Sequence, residues 1–559
     1  RELACLAFSP DQRSPGPLVV RLVRVGTPPP DIPQRHAAEA VVNTVTVNNN
    51  GKVYVDGAGT TYGVAATSLS TGDVTINNTG LIDPPTYGLY GSGAGNVTIN
   101  NSAKVLANLT GIYAESTGSN AFTVKVKSTG GAASTVDGTA GNGIEVNNTK
   151  AGGSANVVVD TLAAGAVTGG QNGIFTSTKL LGTTQIDTGT ALTKGTAADG
   201  IHADTSGSGA IVINTAGATD GGNDGIQADS TGGSAITVNN NGLTTGGSGA
   251  GVKATSSGGN GIVAVNVGGA TSGTIGVLAS STGTGSVTVK DVNSNSITGN
   301  AGDGINASNT TGTGVVNVGT GVGDRIAGAV LGTGGDGIDA AGNSTINVFT
   351  GNDVKGTAGY GVRAVSSGAG GTVTVNTSNV SGGVNGVQGT AGGILATTTN
   401  GNTVNVTTAN NVTATAANTR AIDAQSASGP VNVTTAASKV LTATKTGIFA
   451  STTGAITIDS NSSFTGMTGA GSAGIEAVGG TGLVKIDNTG SMVALANADY
   501  GILASATTGG ITIDNKASGL IGNAPAPGPN GVNIAGIKAS NASNANGITV
   551  TNAADIYVD

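Results

Sequence analysis

One short phrase recurs along almost the entire chain. It reads G-[I/V]-x-A or a close variant, and successive copies lie 23 to 35 residues apart. Its first residue is a glycine at Gly63, Gly88, Gly111, Gly143, Gly173, Gly200, Gly225, Gly251, Gly276, Gly304, Gly337, Gly361, Gly393, Gly447, Gly474, Gly501 and Gly536. Ala421 begins one further copy, which gives 18 starts with a mean spacing of roughly 28 residues. A repeat of this length indicates a solenoid or a comparable array.

Each copy of the phrase is followed by a turn and then by a second apolar run, such as "VTIN" at 74–77 or "ITVN" at 236–239. A looser third piece often comes next, as in "GLID" at 80–83. Both main runs alternate with period two, which is typical of half-buried strands. In the phrase, Ile226 and Ala228 therefore face a core and Gln227 faces solvent. The middle position varies in the way a solvent-facing position does, through His202, Gln227, Lys253, Leu278, Asn306, Asp339, Arg363 and Glu476.

Two or three short strands are too few to bury a core, so the repeats must stack on one another. We predict an all-β fold, a right-handed parallel β-helix of about 18 coils of roughly 28 residues, over residues 41–559. At the spacing of neighbouring strands, this rod would be roughly 85 Å long. Turns between strands favour positive φ, and we expect the abundant Gly and Asn to supply it.

Residues 1–40 differ from the repeats. They hold 7 of the 13 prolines, five arginines and only 2 of the 99 glycines. We predict that this atypical leader is poorly ordered. It also holds Cys5, the single cysteine of the chain, so neither a disulfide framework nor a cysteine-based metal site is expected.

Composition excludes several classes of function. The net charge is −8 and no basic stripe is present, so we expect no nucleic-acid partner. No apolar run approaches 18 residues, which predicts no transmembrane helix and no membrane insertion by this fragment. The two histidines, His36 and His202, lie far apart in unrelated contexts. We therefore expect no catalytic residues, no cofactor and no metal site.

Several polar patterns have two interpretations. "GGDGID" at 334–339 matches a calcium β-roll motif through Asp336 and Asp339, but it also suits a turn, as do Asp199, Asp224 and Asp303. A polar residue after the second strand would form a corner ladder bonded to backbone groups, or simply favour turns, at Asn77, Asn100, Asn214, Asn239, Asp459, Asp487 and Asp514. Outward threonines such as Thr75 and Thr98 suggest an ice-binding stripe, but Lys125 and Gln185 interrupt it.

With these repeats, the near-absence of Cys and the acidic Gly/Thr/Asn/Val-rich composition, the chain resembles the passenger regions of bacterial autotransporter proteins. The resemblance covers roughly residues 41–559. It implies a right-handed β-helix displayed outside the cell at the bacterial surface. Because neither a signal peptide nor a C-terminal translocator barrel is found in the sequence, we expect an internal fragment that such a barrel would anchor in the parent protein.

The resemblance implies a structural role. We expect an adhesin-like rod without catalytic activity that binds host or neighbouring-cell surface molecules or glycans through many weak contacts. The alternative is a carbohydrate-active β-helix enzyme, a polysaccharide lyase or glycosidase. Such an enzyme needs clustered carboxylates and aromatic platforms. Its loose carboxylate candidates are the pairs Asp336/Asp339 and Glu476/Asp487, and the few aromatic residues are spread along the chain. A calcium- or ice-binding solenoid is the third interpretation.

Overall fold

The structure, a computed structural model, describes residues 18–20, 36–40, 44–54, 62–69, 71–83, 86–119, 122–148, 154–378, 384–493, 498–522, 532–543 and 546–558. Three parallel sheets run along the molecule, and each turn of the chain contributes one strand to each sheet. The described residues form a β-solenoid of about 16 turns with coils of about 27 residues. The predicted parallel β-helix is confirmed, and its right hand stays a prediction.

Sheet 1 contains the repeated phrase. Its 18 predicted strands are all present, each paired in parallel with the corresponding strand of the next coil. One more strand precedes them at His36–Ala40. The strands of sheet 1 are His36–Ala40, Tyr62–Ser68, Tyr87–Gly93, Ile112–Ser116, Ile144–Asn148, Ile174–Thr178, Ile201–Thr205, Ile226–Ser230, Val252–Ser256, Val277–Ser281, Ile305–Asn309, Ile338–Gly342, Tyr360–Ser366, Gly392–Thr398, Arg420–Ser426, Thr446–Thr452, Gly469–Gly479, Ala498–Ala506 and Ala535–Asn541.

Sheet 2 contains the second apolar run. Its strands are Leu18–Val20, Val45–Asn49, Val74–Asn78, Val97–Asn101, Thr123–Ser128, Asn156–Thr161, Thr184–Thr188, Ile211–Thr215, Ile236–Asn240, Val263–Val267, Val287–Asp291, Val316–Val318, Ile346–Thr350, Val373–Thr377, Val404–Thr408, Val431–Thr435, Ile456–Ser460, Val484–Asn488, Ile511–Asn515 and Ile548–Asn552. The register is regular, since residues at the same place in the repeat pair with each other.

Sheet 3 contains the looser third piece, and its strands are the shortest. They are Val53–Tyr54, Ile82–Asp83, Val105–Ala107, Val136–Gly138, Val167–Gly169, Thr193–Gly195, Thr219–Gly221, Thr244–Gly246, Thr271–Gly273, Ile297–Gly299, Val330–Gly332, Val354–Gly356, Val387–Gly389, Val412–Ala414, Val440–Thr442 and Ser463–Thr465. Beyond residue 465 this sheet continues through isolated parallel bridges, such as Met492 with Ile521.

The core is a continuous column of Val, Ile and Ala between the three sheets. Ile226, Ala228, Ile236 and Val238 are fully buried, as the alternation predicts, and equivalent positions repeat this in coil after coil. Removing that apolar area from water is the main favourable term in folding. Backbone hydrogen bonds join each described strand to its counterpart in the neighbouring coil, as from the Ile201 N–H to the Gly225 carbonyl oxygen at 3.0 Å, and so pair polar groups that would otherwise be buried without a partner.

The glycine of the phrase is needed for close approach rather than for positive φ. None of the phrase glycines in the described residues has a positive φ. A Cβ atom on Gly200 would lie 2.6 Å from the carbonyl oxygen of Gly225 in the next coil. Positive φ occurs instead at turn residues such as Gly233 and Leu180, and Asn418 is the one described asparagine that adopts it. The expected role of Gly and Asn is therefore wrong for most of them.

The described residues contain a single short helix, the 3₁₀ turn Gly131–Ala133. No helix among them is long and apolar enough to cross a membrane. Within the predicted leader, residues 1–40, only the strands Leu18–Val20 and His36–Ala40 are described. The prediction of poor order for the rest of that segment, and Cys5 with it, lies outside the described residues.

Candidate functional site

The outer face of sheet 1 carries a row of side chains from the middle position of the phrase, which we call the central row. The row exists because parallel register places the same repeat position of every coil side by side. Its members are Ala65, Tyr90, Tyr113, Glu145, Phe175, His202, Gln227, Lys253, Leu278, Asn306, Asp339, Arg363, Leu395, Asp423, Phe449, Glu476, Leu503 and Lys538. Ala65, Asp423 and Phe449 are buried, and the other members are at least partly exposed. Arg420 lies beside Asp423 and Phe449.

The corresponding outer row of sheet 2 is chemically uniform. It reads Thr46, Thr75, Thr98, Lys125, Val158, Gln185, Val212, Thr237, Ala264, Thr288, Asn317, Asn347, Thr374, Asn405, Asn432, Thr457, Lys485, Thr512 and Thr549. Thr and Asn dominate this row, it has no aromatic residue, and two lysines are its only charges. The central row instead contains seven charged and four aromatic residues. The next outward row of sheet 2, two residues further along each strand, carries seven charges of its own, at Lys127, Asp160, Asp187, Lys290, Asp459, Asp487 and Asp514. The contrast between the two sheets therefore lies in the aromatic residues.

Four tyrosines form a compact cluster on the first coils of sheet 1. The rings of Tyr62 and Tyr87 stack at 5.4 Å between centroids, and those of Tyr90 and Tyr113 stack at 5.1 Å. Tyr87 also meets Tyr90 edge-on at 6.0 Å. The expectation of dispersed aromatic residues is wrong here. The signal in the sequence is Tyr directly before a phrase glycine, as in Tyr62–Gly63 and Tyr87–Gly88.

Two carboxylates border the tyrosine cluster. The Tyr113 hydroxyl donates to Glu115 Oε2 at 3.1 Å. Glu145 accepts hydrogen bonds from the side-chain amides of Asn142 at 2.9 Å and Asn147 at 2.8 Å. Burial, together with the nearby charges of Glu115 and Glu145, raises the pKa of Tyr113 well above its usual range. The tyrosine is thus a neutral donor beside two carboxylates.

His202, in the central row, lies among carboxylates. Its Nδ1 is 2.8 Å from Asp199 Oδ2 and its Nε2 is 2.9 Å from Asp204 Oδ1. Burial alone would lower the pKa of His202, but hydrogen bonds to Asp199 and Asp204 raise it to about 9. Lys253 lies 3.6 Å from Asp229 in the adjoining coils. A shallow cavity of about 500 Å³ opens beside Asp204, Asp229 and Lys253.

Asp336 and Asp339, the two aspartates of the calcium motif, lie in one turn and the strand that follows it. Both carboxylates already interact with other groups of the protein. Asp336 Oδ1 accepts the backbone N–H of Tyr360 at 2.5 Å. Burial raises the pKa of Asp336 to about 6. Asp339 pairs with Arg363 at 2.6 Å between Oδ1 and Nη1. This geometry is that of a turn entering a strand, with a cation already paired to one carboxylate.

The second carboxylate pair is not brought together. Glu476 is in sheet 1, where Thr446 donates to its Oε2 at 3.3 Å. Asp487 is in sheet 2 and pairs with Lys485 at 2.6 Å. The two carboxylates therefore face different sides of the solenoid.

Asn and Asp side chains form two kinds of ladder. On sheet 2 the amides of Asn77, Asn100 and Asn239 bond to the side chain one coil earlier at 2.7 to 2.8 Å. These bonds join side chains within a strand row, so the expected bonding to corner backbone groups is wrong for them. The corner ladder lies before the phrase instead, where Asp199 Oδ1 accepts the N–H of Asp224 at 2.8 Å. In the same way, Asp303 Oδ1 accepts the backbone N–H of Asp336 at 2.8 Å.

Comparison with known proteins finds no matching family model, no similar curated protein and no similar solved structure. The β-solenoid is compatible with a passenger region of the kind the repeats resemble.

Proposed function

We propose that the chain is an adhesin-like recognition rod, the passenger of a bacterial autotransporter displayed outside the cell, and that it binds surface molecules or glycans of host or neighbouring cells through the outer face of sheet 1. The rod has no catalytic role in this proposal. A barrel in the parent protein would anchor it.

The observation that carries the proposal is the concentration of partly exposed aromatic side chains on the outer face of sheet 1, as at Tyr62, Tyr87, Tyr90 and Tyr113. Sheet 2 presents outward strand positions of the same kind, yet Phe349 is the one aromatic residue in its two described outward rows. Aromatic residues suit an exposed strand of either sheet, so β propensity does not explain the difference. Aromatic side chains are enriched at recognition surfaces. Their concentration on sheet 1 supports binding at that face.

The repetition of the row supports multivalent contact. Neighbouring strands of a sheet are about 4.8 Å apart, so the central row presents a new side chain at each such step. Individually weak contacts along a stiff support add up through effective concentration. A repetitive polymer or a dense cell surface is the kind of partner that suits this geometry.

Adhesion of bacteria displaying the chain on a translocator barrel to epithelial monolayers tests the proposal. The test variant carries Tyr90→Thr and Phe175→Thr in the central row. The matched control carries Phe349→Thr and Lys485→Thr on the outer face of sheet 2. We expect adhesion to fall about tenfold for the first variant and to stay unchanged for the second. Equal effects of the two variants, at equal surface display, would contradict the proposal.

A carbohydrate-active enzyme remains the second candidate, and one observation favours it. The tyrosine cluster of Tyr62, Tyr87, Tyr90 and Tyr113 lies beside Glu115 and Glu145, and aromatic rings with two carboxylates are the groups that glycoside chemistry uses. Release of reducing ends from a panel of polysaccharides distinguishes the two functions. Activity that disappears in Glu115→Gln or Glu145→Gln would establish the enzyme and overturn the non-catalytic rod.

A further inference from the structure

His202 and two carboxylates converge on the outer face of sheet 1. His202 and Asp204 belong to the strand Ile201–Thr205, where the period of two places both on the solvent side. Asp229 belongs to the next strand, Ile226–Ser230, and parallel register pairs it with Asp204. A chain position far from any other histidine thus acquires two oxygen ligands, one from its own strand and one from the next coil.

The ligand atoms are close enough to share one ion. One nitrogen of His202 and one carboxylate oxygen each of Asp204 and Asp229 all lie within 4.8 Å of one another. His202 Nε2 and Asp204 Oδ1 are 2.9 Å apart. Shifts of less than an ångström in these side chains would bring all three atoms to the bond lengths of about 2.0–2.2 Å that zinc takes.

The imidazole is held in place from its other side. Its Nδ1 bonds to Asp199 Oδ2 at 2.8 Å, and the Asp199 side chain is only 3% exposed. Asp199 is itself fixed, since its Oδ1 accepts the backbone N–H of Asp224 at 2.8 Å and the Asn223 amide at 3.0 Å. A carboxylate that accepts the Nδ1 proton leaves Nε2 directed at the two other carboxylates, which is how metal-binding histidines are commonly oriented.

We propose that His202, Asp204 and Asp229 bind one divalent transition metal ion of the zinc class, with Asp199 as the positioning residue for His202. The ion takes the place of the proton on Nε2. The cavity of about 500 Å³ beside Asp204 and Asp229 leaves the remaining coordination position open to solvent or to a partner's ligand atom. This inference stands whether or not the rod is an adhesin.

The ligand set favours zinc and its neighbours over calcium. Imidazole nitrogen suits Zn²⁺, Ni²⁺ and Cu²⁺, whereas Ca²⁺ prefers six to eight oxygen ligands. One nitrogen and two carboxylates match the three protein ligands plus an open position that zinc accepts.

Lys253 competes with the ion. Its Nζ lies 3.6 Å from Asp229 Oδ2, and the Gln227 amide and the Thr255 hydroxyl donate to the same carboxylate. Of these three groups only the ammonium is charged, so it repels a cation bound between Asp204 and Asp229. Removing the ammonium therefore strengthens metal binding, which is the opposite of what the loss of a ligand does.

Calorimetric titration of the full chain, made without a polyhistidine tag, with Zn²⁺ tests the proposal. We expect one saturable site per chain that weakens at least tenfold in His202→Ala and in Asp204→Asn. Asp199→Asn should weaken binding about tenfold through the loss of orientation. Lys253→Met should bind several-fold more tightly. Asp220→Asn, which removes a carboxylate of sheet 3 that is paired to Lys194 at 2.8 Å and is not one of the proposed ligands, is the matched control and should bind as the wild type does.

Two results would overturn the site. One is the lack of saturable binding of one Zn²⁺ per wild-type chain. The other is wild-type affinity in Asp204→Asn, which keeps the shape of the side chain and so separates loss of a ligand from misfolding. Unchanged affinity in Lys253→Met would contradict the competition by Lys253, and saturation by Ca²⁺ with equal affinity would contradict the zinc class.

Discussion

At the scale of single residues, polar groups fix one coil on the next. Asn78 is 1% exposed, accepts from the Asn49 amide at 2.7 Å and donates to Asn101 Oδ1 at 2.8 Å. Asn77, its neighbour in sequence, makes the same kind of bonds on the solvent side, to Asn48 and Asn100. An unpaired polar atom costs much more when it is buried than when water can replace its partner.

Asn78→Ala should therefore destabilise the first coils by about 2–3 kcal/mol, because it removes the acceptor of the buried Asn49 amide and one of the donors to Asn101 Oδ1. Asn77→Ala, the matched exposed change, should cost about 0.5 kcal/mol. Native-state hydrogen exchange of the amides in Val74–Asn78 measures both. Equal losses in the two variants would show that the buried ladder contributes nothing beyond the exposed one.

Asp336 should make stability depend on pH. Burial raises its pKa to about 6 from 3.8, so the folded protein binds the proton more tightly than the unfolded chain does. Deprotonation therefore penalises the fold: stability falls as pH rises from about 4 to 6 and stays lower above that range.

Asp336→Asn keeps an oxygen to accept the Tyr360 N–H and removes the charge. The variant should gain about 1–2 kcal/mol at pH 8, with solvent screening allowed for, and should match the wild type at pH 3.5. Melting temperatures at the two pH values provide the comparison. A gain of the same size at both would rule out titration of Asp336 as its cause.

At the scale of the strand, adjacent residues of each phrase face opposite sides of the sheet, one the core and the next the solvent. Ile226 is fully buried between the sheets, whereas Gln227 is partly exposed in the central row. Truncating a buried Ile removes transfer free energy and leaves a cavity that close-packed neighbours fill only partly.

Ile226→Ala should cost about 2–4 kcal/mol. Gln227→Ala, one position along, should change stability by less than about 0.5 kcal/mol. Denaturant unfolding monitored by far-ultraviolet circular dichroism compares the two. A larger loss for Gln227→Ala would mean that the strand presents the other face to the core.

The strands could be predicted from sequence because a period of two and a recurring phrase are local signals. Ile226, Ala228, Ile236 and Val238 are buried as that alternation requires. What the phrase glycines do could not be predicted in the same way. Whether Gly200 needs positive φ or a close neighbour depends on how near the next coil approaches, and that distance is set only when the coils stack.

At the scale of the whole molecule, stacking brings together residues that are distant in sequence. The tyrosine cluster and the group of His202, Asp204 and Asp229 arise in this way. Coils of different length still place their phrases in register. Sequence separation alone therefore does not predict which side chains become neighbours. Composition predicts dispersed aromatic residues, because a residue count carries no information about which residues the register brings side by side.

The central claim is that every coil stacks in parallel register on the one before. Leu278, Leu395 and Leu503 test it well, since they lie in the central row four coils apart and no ion pair involves them. Spin labels are placed at these positions on a Cys5→Ser background. The backbone separation should be about 19 Å for each adjacent pair and about 38 Å for the outer pair. The measured distance between labels also includes the contribution of the two label linkers.

Double electron–electron resonance on the three doubly labelled chains measures these separations most directly. The account predicts narrow distributions, with the Leu278–Leu503 distance close to the sum of the other two. Broad distributions, or an outer distance well short of that sum, would contradict a straight stack of coils and with it the central row.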